Sequence, residues 1–218
     1  MIDNIKIIIN TRNRRTKFIN LNTIHIRNCI KTMKYIILLN LFNNIFMNNK
    51  IYVIEYKSYN ITLKIKGIGI KQIFSSDSFF QSKYYPNEIY INGYNQSNVT
   101  HSYYLNQIDN IIELVWYNLI DDCQQMFQYC YDITEIDLSN FNTSNVTSMS
   151  HMFHSCSSLT SLNLSNFDTS KVTSMSHMFK NCSSLTFLNL SNFNTSKVGW
   201  MEEMFYNCIN LEYIICKN

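Results

Sequence analysis

Two columns of side chains able to do chemistry run through the second half of this 218-residue sequence. Cys130, Cys156, Cys182 and Cys208 stand 26 residues apart, and Gln125, His151, His177 and Glu203 recur at the same step. If successive units stack about 5 Å apart, the spacing of neighbouring strands, adjacent thiols come within disulfide range. Two imidazoles and a carboxylate in one column have the donor types of a Zn²⁺ site. Each column also has a plainer reading. A thiol offered by every unit is accounted for by a buried spine of small apolar groups. Three ligands without supporting hydrogen-bond partners fit an exposed helix position. The spine is adopted for the cysteines, and no metal or cofactor is expected.

The motifs of catalysis are missing. The sequence has no glycine-rich phosphate loop, no HExxH and no nucleophile elbow. Asp121-Asp122 reads as a turn or as the cap of a helix at "CQQMF". No catalytic residue is assigned, and the chain is not expected to be an enzyme.

What positions these columns is a repeated phrase. Phe141, Phe167 and Phe193 share the 26-residue step, as do Met126, Met152, Met178 and Met204, and Phe127, Phe153, Phe179 and Phe205. A degenerate earlier unit aligns Ile112, Val115, Ile120 and Cys123 with Leu138, Phe141, Val146 and Met149. A period of this length marks units that cannot bury their apolar faces alone and must stack on one another. Within a unit, "LTSLNLSNF" alternates as a short strand with its leucines inward, and "VTSMSHMFKNC" spaces apolar residues by three and four, as a short helix or 3₁₀ turn does. The polar "DTSK" between them turns the chain. The expected fold is therefore an α/β-type leucine-rich-repeat solenoid, with a short strand and a short helix or 3₁₀ turn per coil, behind a small N-terminal β cap.

The domain plan follows composition. Residues 51–109 hold alternating segments, "IYVIEYKSYNITLKIKGIGI" and "NEIYINGYN" with an Asn92-Gly93 turn, and form the cap; residues 110–218 form about four coils. Ahead of these, residues 1–32 are a basic leader without clear period, and residues 33–50 resemble a signal peptide, with Lys34 before an apolar run broken by Asn40, Asn43 and Asn44. Through Lys50 there are nine Lys/Arg against one acid, Asp3, so of the total charge of +3 the leader carries +8 and the rest −5. A body of that sign offers no phosphate-tracking groove, and nucleic acid is not expected as a partner. No transmembrane helix is expected in the body. Export to the cell surface or medium is the expectation, with a cytoplasmic location if the signal-like segment does not function.

The string Val-Thr-x-Met-x-x-Met-Phe-x-x-Cys-x-x-Leu, met by Val172, Thr173, Met175, Met178, Phe179, Cys182 and Leu185, resembles the unit of BspA-like leucine-rich-repeat surface proteins, including the 26-residue repeat of mycoplasma-type surface lipoproteins. The resemblance covers Ile112 to Ile214 and implies a surface or secreted solenoid that adheres to host or matrix proteins without enzymatic activity. Gly199-Trp200 departs from the Thr-Ser of the other units, and no lipid-attachment motif precedes Cys29, so no lipid anchor is expected.

The binding candidates are the outward residues of the strands. Glu135, Ser161, Phe187 and Tyr213 form one column and Asp137, Asn163 and Asn189 another, a concave face acidic and polar at one end and aromatic at the other. Such a strip suits an extended protein or a glycan, although a solvated strand face has the same composition. No cap is visible behind the final strand, "LEYIICKN": either Lys217 and the terminus close its edge, or the chain once continued, or another copy pairs there.

Overall fold

The structure, a computed structural model, describes residues 6–10, 16–20, 58–77 and 80–216. Two units divide the chain, Met1–Tyr56 and Lys57–Asn218. In the first, where the leader shows no period, β1 (Lys6–Asn10) and β2 (Thr16–Asn20) pair antiparallel. The signal-like segment and the strand expected around Tyr52, Ile54 and Tyr56 lie outside the described residues.

The second unit is mostly β. Its N-terminal part is built on β3 (Tyr59–Lys66), whose alternation places Ile61, Leu63 and Ile65 fully inside. β4 (Gly69–Gln72) pairs antiparallel with β7 (Ser102–Leu105). β5 (Glu88–Ile91) turns into β6 (Tyr94–Asn95) through Asn92 and Gly93, both at positive φ, as the Asn-Gly pair requires. β8 (Asp109–Trp116) lies between β3 and β5 and pairs antiparallel with both. β9 (Ile133–Asp137) runs antiparallel to the other side of β3 and parallel to β10 (Ser161–Asn163), giving a mixed six-stranded sheet in the order β10-β9-β3-β8-β5-β6. β11 (Phe187–Leu190) and β12 (Tyr213–Cys216) form a separate parallel pair.

Two sequence expectations are corrected here. The degenerate unit at Ile112 does not continue the parallel series, because β3 is inserted between β8 and β9. The helical half of each unit is also not a helix: among the described residues there is no α-helix and a single 3₁₀ turn, Ser82–Tyr84. Counting repeats by Cys130, Cys156, Cys182 and Cys208, the third shows the reason. Met178, Lys180 and Cys182 donate their N–H groups three residues back, to the carbonyls of Met175, His177 and Phe179. The alternate donors His177, Phe179 and Asn181 reach instead into the fourth repeat, to Glu202, Met204 and Tyr206 at 2.8–2.9 Å. His177 and Asn181 take positive φ to do so, as do His151 and Ser155 one repeat earlier. A helix would turn every N–H inward along its own axis; here every second one ties the segment to its neighbour.

The polar phrase performs the same task. Thr143 Oγ1 accepts from the Asp168 N–H at 2.8 Å and donates to the Asp168 carbonyl at 3.1 Å, and Thr169 repeats both bonds with Asn194. Asn166 donates to the Ser139 carbonyl, and Asn192 to the carbonyls of Leu164 and Phe167. Asp137, Asn142, Asn163, Asp168, Asn189 and Asn194 each accept the N–H two residues on, closing a chain of Asx turns.

Inside, Phe127, Phe153, Phe179 and Phe205 form a ladder with ring centroids 5.5–5.9 Å apart and planes within 9° of parallel. Phe167 and Phe193 stack likewise, and Trp116 meets Phe141 edge-on at 5.2 Å, closing that column against β8. Each fully buried aromatic contributes about 1.5–3 kcal/mol of burial, plus about 0.5–1.5 kcal/mol from its ring contacts. No helix among the described residues is long and apolar enough to cross a membrane.

Candidate functional site

The strand face begins with backbone register. In β9 and β10, Glu135 lies opposite Ser161 and Asp137 opposite Asn163; in β11 and β12, Phe187 lies opposite Tyr213 and Asn189 opposite Ile215. Because side chains alternate along a strand, Ile136 and Leu188 turn into the core while Asp137, Ser161, Asn163, Phe187, Asn189 and Tyr213 are exposed and Glu135 is half-buried. The two strand pairs belong to different sheets, so the expected strip is present as two blocks.

The hydrogen bonds divide these residues by task. Asp137 Oδ1 accepts from the Ser139 N–H at 2.9 Å and from Asn163 Nδ2 at 3.0 Å, while Asn163 and Asn189 accept from Ser165 and Ser191. One oxygen of each of these side chains serves the chain's own turns. Glu135 forms an ion pair with Lys64 at 2.7 Å. Phe187 and Tyr213 carry no comparable structural duty, and are 47% and 65% exposed. The block they form is an aromatic pair on adjacent parallel strands, suited to receiving apolar groups.

The spine residues lie in the core. Cys130, Cys156, Cys182, Met152, Met178, Phe153 and Phe179 are fully buried; Met204, Phe141 and Phe167 are nearly so; Phe193, Phe205 and Cys208 are half-buried. The thiols of Cys156, Cys182 and Cys208 donate to the carbonyls of Phe127, Phe153 and Phe179 at 2.9–3.1 Å, one repeat back. Burial raises the pKa of all three thiols, and all described cysteines are free. Each of these three thiols is bonded to a carbonyl of the preceding repeat, and burial disfavours the thiolate, which is the reactive form.

The histidine column differs from the exposed helix position expected for it. His151 and His177 occupy left-handed corners and stack at 4.6 Å with planes 12° apart. The in-plane lone pairs of two stacked rings lie in separate, nearly parallel planes, so they do not converge on one point between the rings. Among the described residues, no group of three or more His, Cys, Asp or Glu is placed to hold a metal. Glu203 lies 3.3 Å from His177 Nε2 and also pairs with Lys180. His154, in the parallel column Gln128-His154-Lys180-Tyr206, was not singled out by the sequence, yet its ring lies 5.4 Å from His151 and its Nδ1 2.9 Å from Gln128 Nε2. Burial, then the nearby His151, lowers the His154 pKa to about 4, and burial followed by His177 lowers that of His151.

Asp122 closes a turn by accepting from the Gln124 N–H at 2.7 Å, and burial raises its carboxyl. No curated protein and no solved structure matches this chain. Residues 120–216, the segment that carries the four turn segments and β9 to β12, match the family model described as a Mycoplasma protein of unknown function, DUF285.

Proposed function

We propose that this chain is an exported leucine-rich-repeat solenoid of the BspA-like surface type, and that its strand face docks a protein partner through an apolar or aromatic side chain. The observation that carries the reading is the exposed pair Phe187 and Tyr213, directly opposite each other on β11 and β12. The solenoid part is supported by the parallel register at the 26-residue step and by the N–H groups that tie each repeat to the next. Asp137, Asn163 and Asn189 each commit one side-chain oxygen to a turn, which leaves the aromatic pair as the least committed part of the face and makes a protein the first partner class to test, with a glycan the second. Aromatic anchors dominate protein interfaces. The reading includes no catalytic role.

Two measurements test it. Mass spectrometry of the native N-terminus, on surface shavings, medium and lysate taken separately, should find a terminus near residues 47–52 outside the cell; intact Met1 or Met33 in lysate alone would remove export and favour an intracellular scaffold. Binding of the purified chain to panels of extracellular proteins and of glycans should yield protein hits that the Phe187→Ser/Tyr213→Ser double variant loses by tenfold or more. Hits confined to glycans, or unchanged by the variant, would reject the docking site.

A further inference from the structure

The stretch Trp116-Tyr117-Asn118-Leu119-Ile120-Asp121 stands one period ahead of Asn142-Thr143-Ser144-Asn145-Val146-Thr147, yet only Ile120 keeps the character of its column. In the later units this phrase spends its polar atoms on Asx turns and on the joint between repeats. The departures of the first unit gather in another place. Trp116, Asn118, Leu119 and Asp121 line one open cleft of about 330 Å³, whose other walls come from residues 83–87 and from Asn145. In the column Leu119-Asn145-Lys171-Lys197, Asn145 at the cleft is neutral and the two members beyond it are lysines.

Bonds within the chain fix these walls. Trp116 Nε1 donates to the Tyr84 carbonyl at 2.9 Å, the Asn87 N–H donates to the Val115 carbonyl at 2.7 Å, and Asn87 Oδ1 accepts from the Tyr117 N–H at 2.8 Å. Asn145 Oδ1 accepts from Lys171 Nζ at 2.9 Å. The amide oxygens of Asn87 and Asn145 are thereby occupied, while their Nδ2 groups, and the whole amide of Asn118, have no partner among the described residues. Asp121 offers an exposed carboxylate, and Leu119, 41% exposed, offers apolar surface.

We infer that this cleft binds one neutral pyranose ring, free or at the end of a glycan chain. Three features select that chemistry. First, the unspent groups are donors on three amides beside acceptors on one carboxylate. An anion would meet Asp121, and a cation would leave the amide donors unmatched; a hydroxyl donates and accepts at once, so a ring carrying several satisfies both kinds. Second, the lining holds one ammonium, Lys83, and one carboxylate, Asp121, so its net charge favours neither sign. Lys83 Nζ already lies over the Tyr84 ring, 4.4 Å from its centroid. Third, the volume stands at the lower end of the ~300–1,000 Å³ of small-molecule sites, and Leu119 can cover the C–H face of a sugar. The cleft shares no residue with the Phe187 and Tyr213 pair, and the inference does not rest on the docking reading.

Saturation-transfer NMR of the full chain tests it, against neutral hexoses and N-acetylhexosamines, their oligosaccharides, and glucuronate and glucosamine as charged controls. At least one neutral sugar should bind saturably, with both controls at least tenfold weaker. An oligosaccharide that binds more tightly than its terminal sugar assigns a glycan end; equal affinities assign a free sugar. No saturable binding, or preference for a charged control, would overturn the inference. In the 15N-labelled parent, shift changes on titration should gather in 83–87, 116–121 and 145, and a cluster on another surface would reject the cleft. Asn118→Ser/Asn145→Lys installs residues that the later repeats already carry, and should weaken binding at least tenfold with unchanged circular dichroism. A folded variant that binds as tightly as the parent would also overturn the site; if the variant does not fold, the shift map of the parent decides. Phe187→Ser/Tyr213→Ser should bind the sugar as the parent does, and a loss there would place the sugar on the strand face instead.

Discussion

The imidazoles of His151 and His177 lie face to face, 4.6 Å between centroids, at corresponding left-handed corners of consecutive repeats. Uncharged rings can stack this way; two imidazolium ions at that distance repel. His154 stands 5.4 Å from His151. The groups facing His151 are His154, His177, Lys180 and Asp77, three of them cationic when protonated. The column thus joins neighbouring repeats while the histidines are neutral.

Acid should therefore loosen the second and third repeats. Both His151 and His154 have folded-state pKa values below the unfolded value of 6.5, His154 at about 4, so the unfolded chain binds more protons in that interval. Their contribution is complete above pH 6.5 and is lost as pH falls from 6.5 toward 4. Urea midpoints measured at half-unit steps should decline across that window, and the decline should be shallower in His151→Phe/His154→Gln. Parallel profiles for the two proteins would reject the assignment.

Thiol labelling should sort the cysteines by burial. Cys216 is exposed on β12, Cys208 is half-buried, and Cys123, Cys130, Cys156 and Cys182 are fully enclosed with pKa values raised by desolvation. Among the six described cysteines, iodoacetamide followed by peptide mapping should modify Cys216 first, Cys208 slowly, and Cys123, Cys130, Cys156 and Cys182 only in denaturant. Disulfide-linked peptides joining Cys130, Cys156, Cys182 or Cys208 in a non-reduced digest would contradict the thiol–carbonyl bonds.

Much of this arrangement was legible in the sequence, for a physical reason. Burial is periodic when stacking is periodic, so Phe141, Phe167, Met152, Met178 and the Cys column announce themselves by spacing alone. The helical reading of "VTSMSHMFKNC" failed because steps of three and four describe which side chains face inward, whatever the backbone does. A string of turns that sends alternate N–H groups to the next repeat buries Met175, Met178 and Phe179 as well as a helix would. The insertion of β3 beside β9 is a long-range pairing with no local mark. The polar residues were undervalued for another reason: Thr169 and Asn192 are useful only when a neighbour is present one repeat away.

The left-handed corners make a separate demand. Asn207 takes φ 59° in the fourth repeat and is exposed there. Asn tolerates this region, whereas a β-branched side chain does not. Asn207→Val should destabilise by about 1–2 kcal/mol, beyond the loss of the bond from Asn207 to Asn181 Oδ1. Asn207→Ala removes the same bond with less strain and should cost less. Equal melting temperatures for the two variants would show that the corner is not strained.

Thr169 offers the sharpest comparison, because the repeat supplies its own control. Its hydroxyl accepts from the Asn194 N–H at 2.7 Å, donates to the Asn194 carbonyl at 3.0 Å, and is buried with 1% of the residue exposed. Thr169→Val keeps the volume and leaves both backbone groups without that partner, at a cost of about 1–3 kcal/mol. Thr195 holds the same position one repeat on, but is exposed and faces no further repeat within the described residues. Thr195→Val should change stability by less than about 0.5 kcal/mol, as expected for a surface substitution. Urea unfolding of the two variants beside the parent measures the difference directly. Similar losses would mean that the threonine column supports its own turn and not the joint between repeats.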